Sequence, residues 1–103
     1  MPRPYSQKFI DDVKNGDTRR VGIELAQQCI EANLPAKYVA VALGVSRATI
    51  HNWFRGSILR GKNEDMALAF IRLVRKDTEE GVLPAKSNKD AKAYIEDMIG
   101  MKI

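Results

Sequence analysis

The chain has few of the residues that metal sites and covalent catalysis use, with one cysteine and one histidine among its 103 residues. A zinc finger needs four ligands, so Cys29 and His51 cannot form one. A lone cysteine also excludes a disulfide within the chain. Asp11, Asp12 and Asp17 resemble an acidic cluster, but they flank a predicted helix end and are interpreted as solvated. Because phosphate-loop and nucleophile motifs are absent as well, we expect a protein that is not an enzyme and needs no cofactor or metal.

Long apolar runs are absent too, since no segment approaches the roughly 20 apolar residues that a membrane-spanning helix requires. The start of the chain, MPRPYSQKF, lacks the apolar region of a secretion signal. The length suffices for one hydrophobic core but not for two. We therefore expect one cytoplasmic domain over residues 1–103 without membrane contact. Cys29 shares a helical stripe with Leu25 and Ala32, which favours a buried, unreactive thiol.

One sign of charge is missing from the middle of the chain, where no Asp or Glu occurs between Ala32 and Asn63. The same segment contains five cations: Lys37, Arg47, Arg55, Arg60 and Lys62. Two interpretations are open, a solvated basic surface or a face that binds phosphates. The turn pattern within the segment favours the second.

That pattern lies in residues 34–56, LPAKYVAVALGVSRATIHNWFRG, and predicts two short helices joined by a tight turn. Ala40 is small enough for the two helices to cross closely. Gly44 follows the last periodic residue of the first helix, where the chain needs a left-handed conformation. Ser46 can cap the second helix by accepting from a backbone N–H of its first turn.

The second helix has two contrasting faces. Ile50, Trp53 and Phe54 fall at helical spacing and are predicted to point inward. We expect Phe54 to pack under a further element or against a partner. The outward side contains two arginines, an amide, an imidazole and no acid, contributed by Arg47, Ala48, His51, Asn52 and Arg55.

These residues follow the pattern A-x(3)-GVS-x(2)-TI-x(2)-W-x(2)-G, which comprises Ala40, Gly44, Val45, Ser46, Thr49, Ile50, Trp53 and Gly56. The pattern resembles the helix-turn-helix of the phage Cro and repressor class, also called lambda-repressor-like domains. The resemblance implies a helix-turn-helix over residues 35–56 that binds double-stranded DNA, with a recognition helix from Ser46 to Arg55. The expected base-contacting residues are Arg47, Ala48, Thr49 and Asn52. The expected phosphate-contacting residues are Lys37, Ser46, His51, Arg55, Arg60 and Lys62.

The sequence departs from this family at Leu34, Pro35 and Ala36, where a polar residue commonly contacts phosphate. We therefore expect the backbone to be held chiefly from the other side, by Arg55 and by Arg60 and Lys62 of a following loop.

Four further helices are predicted from periodicity and helix-end residues, over residues 4–14, 18–32, 64–80 and about 87–100. Ser6 and Ser87 are the expected caps of the first and last. Phe9, Ile10 and Val13 share one face of the first helix, which Asn15 and Gly16 end. The buried stripe of the long helix over residues 64–80 is predicted to contain Met66, Ala67, Ala69, Phe70, Leu73 and Val74. No segment alternates like a strand, so the fold class is all-α, a lambda-repressor-like domain of five to six helices with extra terminal helices.

The C-terminal helix is the candidate surface for a homodimer, through Tyr94, Ile95, Met98 and Ile99. The alternative is that this face folds back on its own core, covering Phe54. For function, the leading hypothesis is a small phage-type transcriptional regulator. The alternatives are a non-enzymatic adaptor that contacts proteins, and an accessory protein of DNA packaging or transposition. Since no second domain is expected, neither is a small-molecule ligand.

Overall fold

A computed structural model of the chain describes residues 5–14 and 20–103. Its six helices are α1 (Gln7–Lys14), α2 (Val21–Ala32), α3 (Ala36–Leu43), α4 (Arg47–Phe54), α5 (Lys62–Glu79) and α6 (Asn88–Ile99). Neither described range contains a strand, and the all-α class is confirmed. Several positions named above lie outside the description: Pro4, Asn15, Gly16, Asp17 and Thr18, and the side chains of Asp12 and Val13.

Three of the helices begin at serine caps, as their sequences predict. The Ser6 hydroxyl oxygen accepts from the backbone N–H of Phe9 at 3.2 Å. The Ser87 oxygen accepts from the N–H of Asp90 at 3.1 Å in the same way, and Ser46 does so for α4. Each bond satisfies a donor that the first turn of a helix leaves without a partner.

Three helix starts differ from the prediction. α1 begins at Gln7, three residues later than predicted. Arg20 is extended, with φ −85° and ψ 123°, so α2 begins at Val21 and not at residue 18. Gly61 has φ 57° and ψ −127°, and α5 begins directly after it. Lys62 is therefore the first residue of a helix and does not belong to the preceding loop. Glycine adopts the backbone angles of position 61 without the steric cost of a side chain.

The core forms around α2, which packs against α1, α4 and α5, while α3 packs against α4, α5 and α6. Leu25, Cys29 and Ala32 are all completely buried, as predicted. Burial also raises the pKa of the Cys29 thiol. The largest fully buried side chains join these helices in one cluster: Phe54, Leu25, Leu34, Ile50, Ile71, Ile95, Val39 and Val74.

The buried stripe of α5 is partly different from the predicted one. Ala69 is exposed and Leu73 is 40% exposed, whereas Ile71 is 1% exposed. The helix packs mainly on α2, and its buried residues are Ala67, Phe70, Ile71 and Val74. These positions follow the i, i+3, i+4, i+7 spacing of a single helix face, so Ala69 and Leu73 fall beside that face.

The C-terminal helix folds back on the core of its own chain. Ile95 is completely buried, and Tyr94, Met98 and Ile99 pack on the core as half-buried residues. The prediction that Ile95 lies on a dimer surface is wrong, because the apolar face of α6 packs against α3 of the same chain. The Tyr94 hydroxyl donates to Asp77 Oδ2 at 2.5 Å and ties α6 to α5.

Phe54 is covered from the other end of the chain. Its ring centroid lies 6.3 Å from that of Tyr5 and 6.1 Å from that of Phe9. The Tyr5 hydroxyl donates to the carbonyl oxygen of Leu34 at 2.8 Å, which holds the N-terminal segment in place. The further element expected over Phe54 is thus the segment that leads into α1.

Candidate nucleic-acid interface

The turn between α3 and α4 has the predicted geometry. Gly44 ends α3 at φ 69°, a left-handed conformation that glycine adopts without strain. The N–H of Gly44 donates to the carbonyl of Val41 at 3.2 Å, and that of Val45 to Ala40 at 3.0 Å. Ala40 is 2% exposed. These two bonds close the end of α3 and set the direction in which α4 leaves it.

Two hydroxyl groups fix the start of α4. Ser46 Oγ accepts from the backbone N–H of Thr49 at 3.2 Å and lies 3.0 Å from Thr49 Oγ1. Thr49 is half-buried, whereas Ser46 is exposed. The structure therefore assigns both side chains a role in forming the helix, beside any contact that they make with a partner.

The two faces of α4 separate as predicted. Ile50, Trp53 and Phe54 are 0%, 7% and 1% exposed. The residues predicted to face outward are all exposed: Arg47, Ala48, His51, Asn52 and Arg55. The ring of His51 meets Phe54 edge-on at 6.4 Å, so this imidazole is placed by a buried aromatic side chain.

Cations lie at both ends of α4. Arg47 is its first residue and Arg55 its C-cap, and Arg60 is exposed in the following loop. Leu59, which is 4% exposed, anchors that loop to the core. Within residues 5–14 and 20–103 the only ion pair joins Arg75 to Glu24 between α5 and α2, so no described carboxylate neutralises these arginines.

Lys62 differs from the other cations of this region. It opens the first turn of α5, which also contains Glu64 and Asp65. Carboxylates are favourable and cations unfavourable at this end of a helix. The positive charge after α4 therefore rests mainly on Arg60.

An open cleft of about 330 Å³ lies beside the start of α4. Its lining residues come from three helices and the N-terminal segment: Tyr5, Pro35, Ala36, Lys37, Arg47, His51 and Asn88. The Lys37 ammonium lies 5.0 Å from the ring centroid of Tyr38. The cleft thus brings together three predicted phosphate or base contacts and Asn88, to which no sequence pattern points.

Gly22 and Arg20 contact the end of α4 and the residue after its C-cap, and the sequence does not predict these contacts. A Cβ atom on Gly22 would lie 2.1 Å from the carbonyl oxygen of Trp53, so the α2 backbone approaches the end of α4 directly. The Arg20 guanidinium donates to the carbonyl oxygen of Gly56 at 3.3 Å. An isolated glycine in the first turn of an apolar helix is the available sequence signal for such a contact. Nothing in the sequence identifies Trp53 and Gly56 as the residues that Gly22 and Arg20 contact.

In the part of the chain that the structure describes, no helix has the length and apolar character needed to cross a bilayer. The same residues contain no group of three or more His, Cys, Asp or Glu side chains placed to hold a metal ion. Comparison with protein-family models, curated protein sequences and solved structures gave no match. The functional interpretation therefore rests on the residues and their placement.

Proposed function

We propose that this chain binds double-stranded DNA sequence-specifically through a lambda-repressor-like helix-turn-helix, as a small phage-type transcriptional regulator. The outer face of α4 supports this proposal most strongly. It presents arginine, amide, imidazole and methyl groups to solvent on a helix whose other face is locked into the core. Arginine, amide and methyl groups read base edges in the major groove.

Four residues have proposed roles in base recognition. Arg47 donates to guanine O6 and N7 or to a phosphate, and Asn52 pairs with an adenine edge. Ala48 and the methyl group of Thr49 contact thymine methyl groups. Because a rigid helix presents these side chains, their contacts are expected to depend on base identity.

The remaining cations hold the register on the duplex. The eight residues of α4 span about 12 Å, which is close to the width of the major groove. Arg47 at one end and Arg55 at the other therefore come near the two phosphate walls. Arg60 extends the second end, with a smaller contribution from Lys62. Lys37, Ser46 and His51 extend the first end, where Ser46 is the N-cap of α4.

The proposal is tested by titrating the intact chain with a labelled random duplex at several salt concentrations, followed by selection of bound sites from a random pool. We expect binding that weakens steeply with salt and enriched sites of defined sequence. Absence of salt-dependent binding contradicts the proposal and favours the protein-adaptor alternative. Binding without an enriched sequence contradicts the regulator and favours a packaging or transposition accessory role.

Two variants separate base reading from phosphate contact. Asn52→Ala is expected to cost about 1–3 kcal/mol on the selected site and to relax preference at one or two positions. Arg60→Ala is expected to weaken all sequences equally and to reduce the salt dependence by roughly one phosphate contact. An equal loss on every sequence from Asn52→Ala contradicts its base-reading role.

A further inference from the structure

We infer that the first turn of α6 is part of the DNA-binding surface and contacts the phosphate backbone beside the start of α4. This inference rests on the proposed function and extends the protein's contact region beyond the helix-turn-helix, to a helix whose own sequence points only to packing. The residues concerned are Asn88 and the exposed lysines beside it, Lys86 and Lys89.

The position of this turn is set by contacts with the end of α2. The N–H of Ala85 donates to the carbonyl of Ala32 at 2.9 Å. The Asn33 amide nitrogen donates to the carbonyl of Ala85 at 2.8 Å. Leu83 in the same linker is buried at 3% exposure. The linker is thereby held next to the start of α3, and α6 starts three residues after Ala85.

The consequence is that Asn88 lines the same cleft as Lys37, Arg47 and His51. Among the residues that the structure describes, the lining contains two cations, an imidazole and an amide, and no Asp or Glu. The nearest carboxylate of α6 is Asp90, two residues further along the helix. A surface of this composition suits an anion, and the exposed residues Lys86 and Lys89 add positive charge close to Asn88 in the sequence.

The cleft is continuous with the outer face of α4, because Arg47 belongs to both. When a duplex is bound to the outer face of α4, phosphates of its backbone lie near Arg47, at the end of α4 that borders the cleft. The backbone of this duplex is therefore the occupant that the charge pattern favours. The Asn88 amide can donate to a phosphate oxygen, which is a common backbone contact of DNA-binding proteins.

A charge series at position 88 tests the inference in the full chain. Asn88→Asp is expected to weaken binding to a random duplex by roughly threefold or more at about 50 mM salt, with a smaller effect at about 200 mM. Asn88→Lys is expected to strengthen binding. Stability should change in the opposite direction, because an acid stabilises and a cation destabilises the first turn of a helix. A purely structural role of residue 88 therefore predicts the reverse order of affinities.

Matched controls lie at the other end of the same helix. Lys102 and Asp97 line a separate cleft around Gly100, about 18 Å along the axis of α6. Lys102→Ala lowers the net charge by one, as Asn88→Asp does. Asp97→Asn raises it by one, as Asn88→Lys does. Both controls are expected to leave affinity within about twofold of the unaltered chain.

The outcomes distinguish this inference from the function on which it rests. Equal effects at position 88 and in the controls overturn the contact by α6, and leave DNA binding by α4 intact if the unaltered chain binds. Failure of the unaltered chain to bind any duplex overturns both. A loss with Asn88→Asp and a gain with Asn88→Lys, both absent from the controls, supports the inference.

Discussion

The contact between Gly22 and Trp53 leads to a sharp prediction for Gly22→Ala. The added Cβ would lie 2.1 Å from the carbonyl oxygen of Trp53 and 2.7 Å from its carbonyl carbon. An ordinary carbon–oxygen contact needs about 3.3 Å, so α2 and the end of α4 must separate by roughly 1 Å. Both partners are backbone atoms, and no change of side-chain conformation relieves the overlap.

The cost of that separation can be estimated. Overpacking a dense interface costs about 1–3 kcal/mol, and a gap of about 1 Å also forfeits a quarter to a half of the dispersion energy of neighbouring atoms. The better helix propensity of alanine offsets up to about 1 kcal/mol. We therefore expect the free energy of unfolding to fall by about 2 kcal/mol and the melting temperature by roughly 10 °C.

Urea denaturation followed by Trp53 fluorescence measures the change. Gly81→Ala is the control, since no described atom beyond its two chain neighbours lies within 4 Å of a Cβ at that position. Because Gly81 has a φ of 83°, alanine there is expected to lower the free energy of unfolding by about 1–2 kcal/mol through backbone strain alone. Only Gly22→Ala should also lower DNA affinity in the folded protein, because only it displaces α4. An unfolding midpoint equal to that of the unaltered chain would refute the reasoning.

The other predictions concern two titratable side chains. Burial raises the pKa of the Cys29 thiol, and the thiolate is the reactive form, so Cys29 should react with Ellman's reagent only after unfolding in urea. Rapid labelling of the native chain contradicts this. The pKa of the Tyr94 hydroxyl is raised, chiefly by burial and to a smaller extent by its hydrogen bond to Asp77. A raised pKa stabilises the fold below about pH 10, the unfolded value, and this stabilisation is lost as the pH rises further. Tyr94→Phe should lower stability by about 1 kcal/mol at pH 7 and reduce the loss above pH 10. A residual loss is expected from Tyr5, whose pKa burial also raises. If the unaltered chain and Tyr94→Phe lose the same amount of unfolding free energy between pH 7 and pH 11, the role of Tyr94 is contradicted.

Features that depend on neighbouring residues could be predicted from the sequence. The caps at Ser6, Ser46 and Ser87 each join residues three positions apart. Gly44 ends α3 through bonds to the preceding turn. The inward and outward faces of α4 follow from its helical period. In each case the hydrogen bond or the period lies within a few residues, so the local sequence contains all the information needed.

Boundaries and partners were less predictable. The end of the loop after α4 depended on the backbone angles of Gly61, which the residue type permits but does not specify. The stripe of α5 was misassigned at Ala69 and Leu73, because the period does not say which side meets α2. The apolar face of α6 was equally compatible with a second chain and with the core of its own chain.

By itself, the sequence determined the six helices, the tight turn and the acid-free basic segment, all of which arise from local bonding, periodicity and composition. Only the tertiary structure decided that Gly22 meets the backbone of Trp53, and that Asn88 lies in one cleft with Arg47. The position of Asn88 depends on the hydrogen bond between Asn33 and Ala85, which are 52 positions apart. Contacts over such separations result from packing the whole core, so no local pattern encodes them.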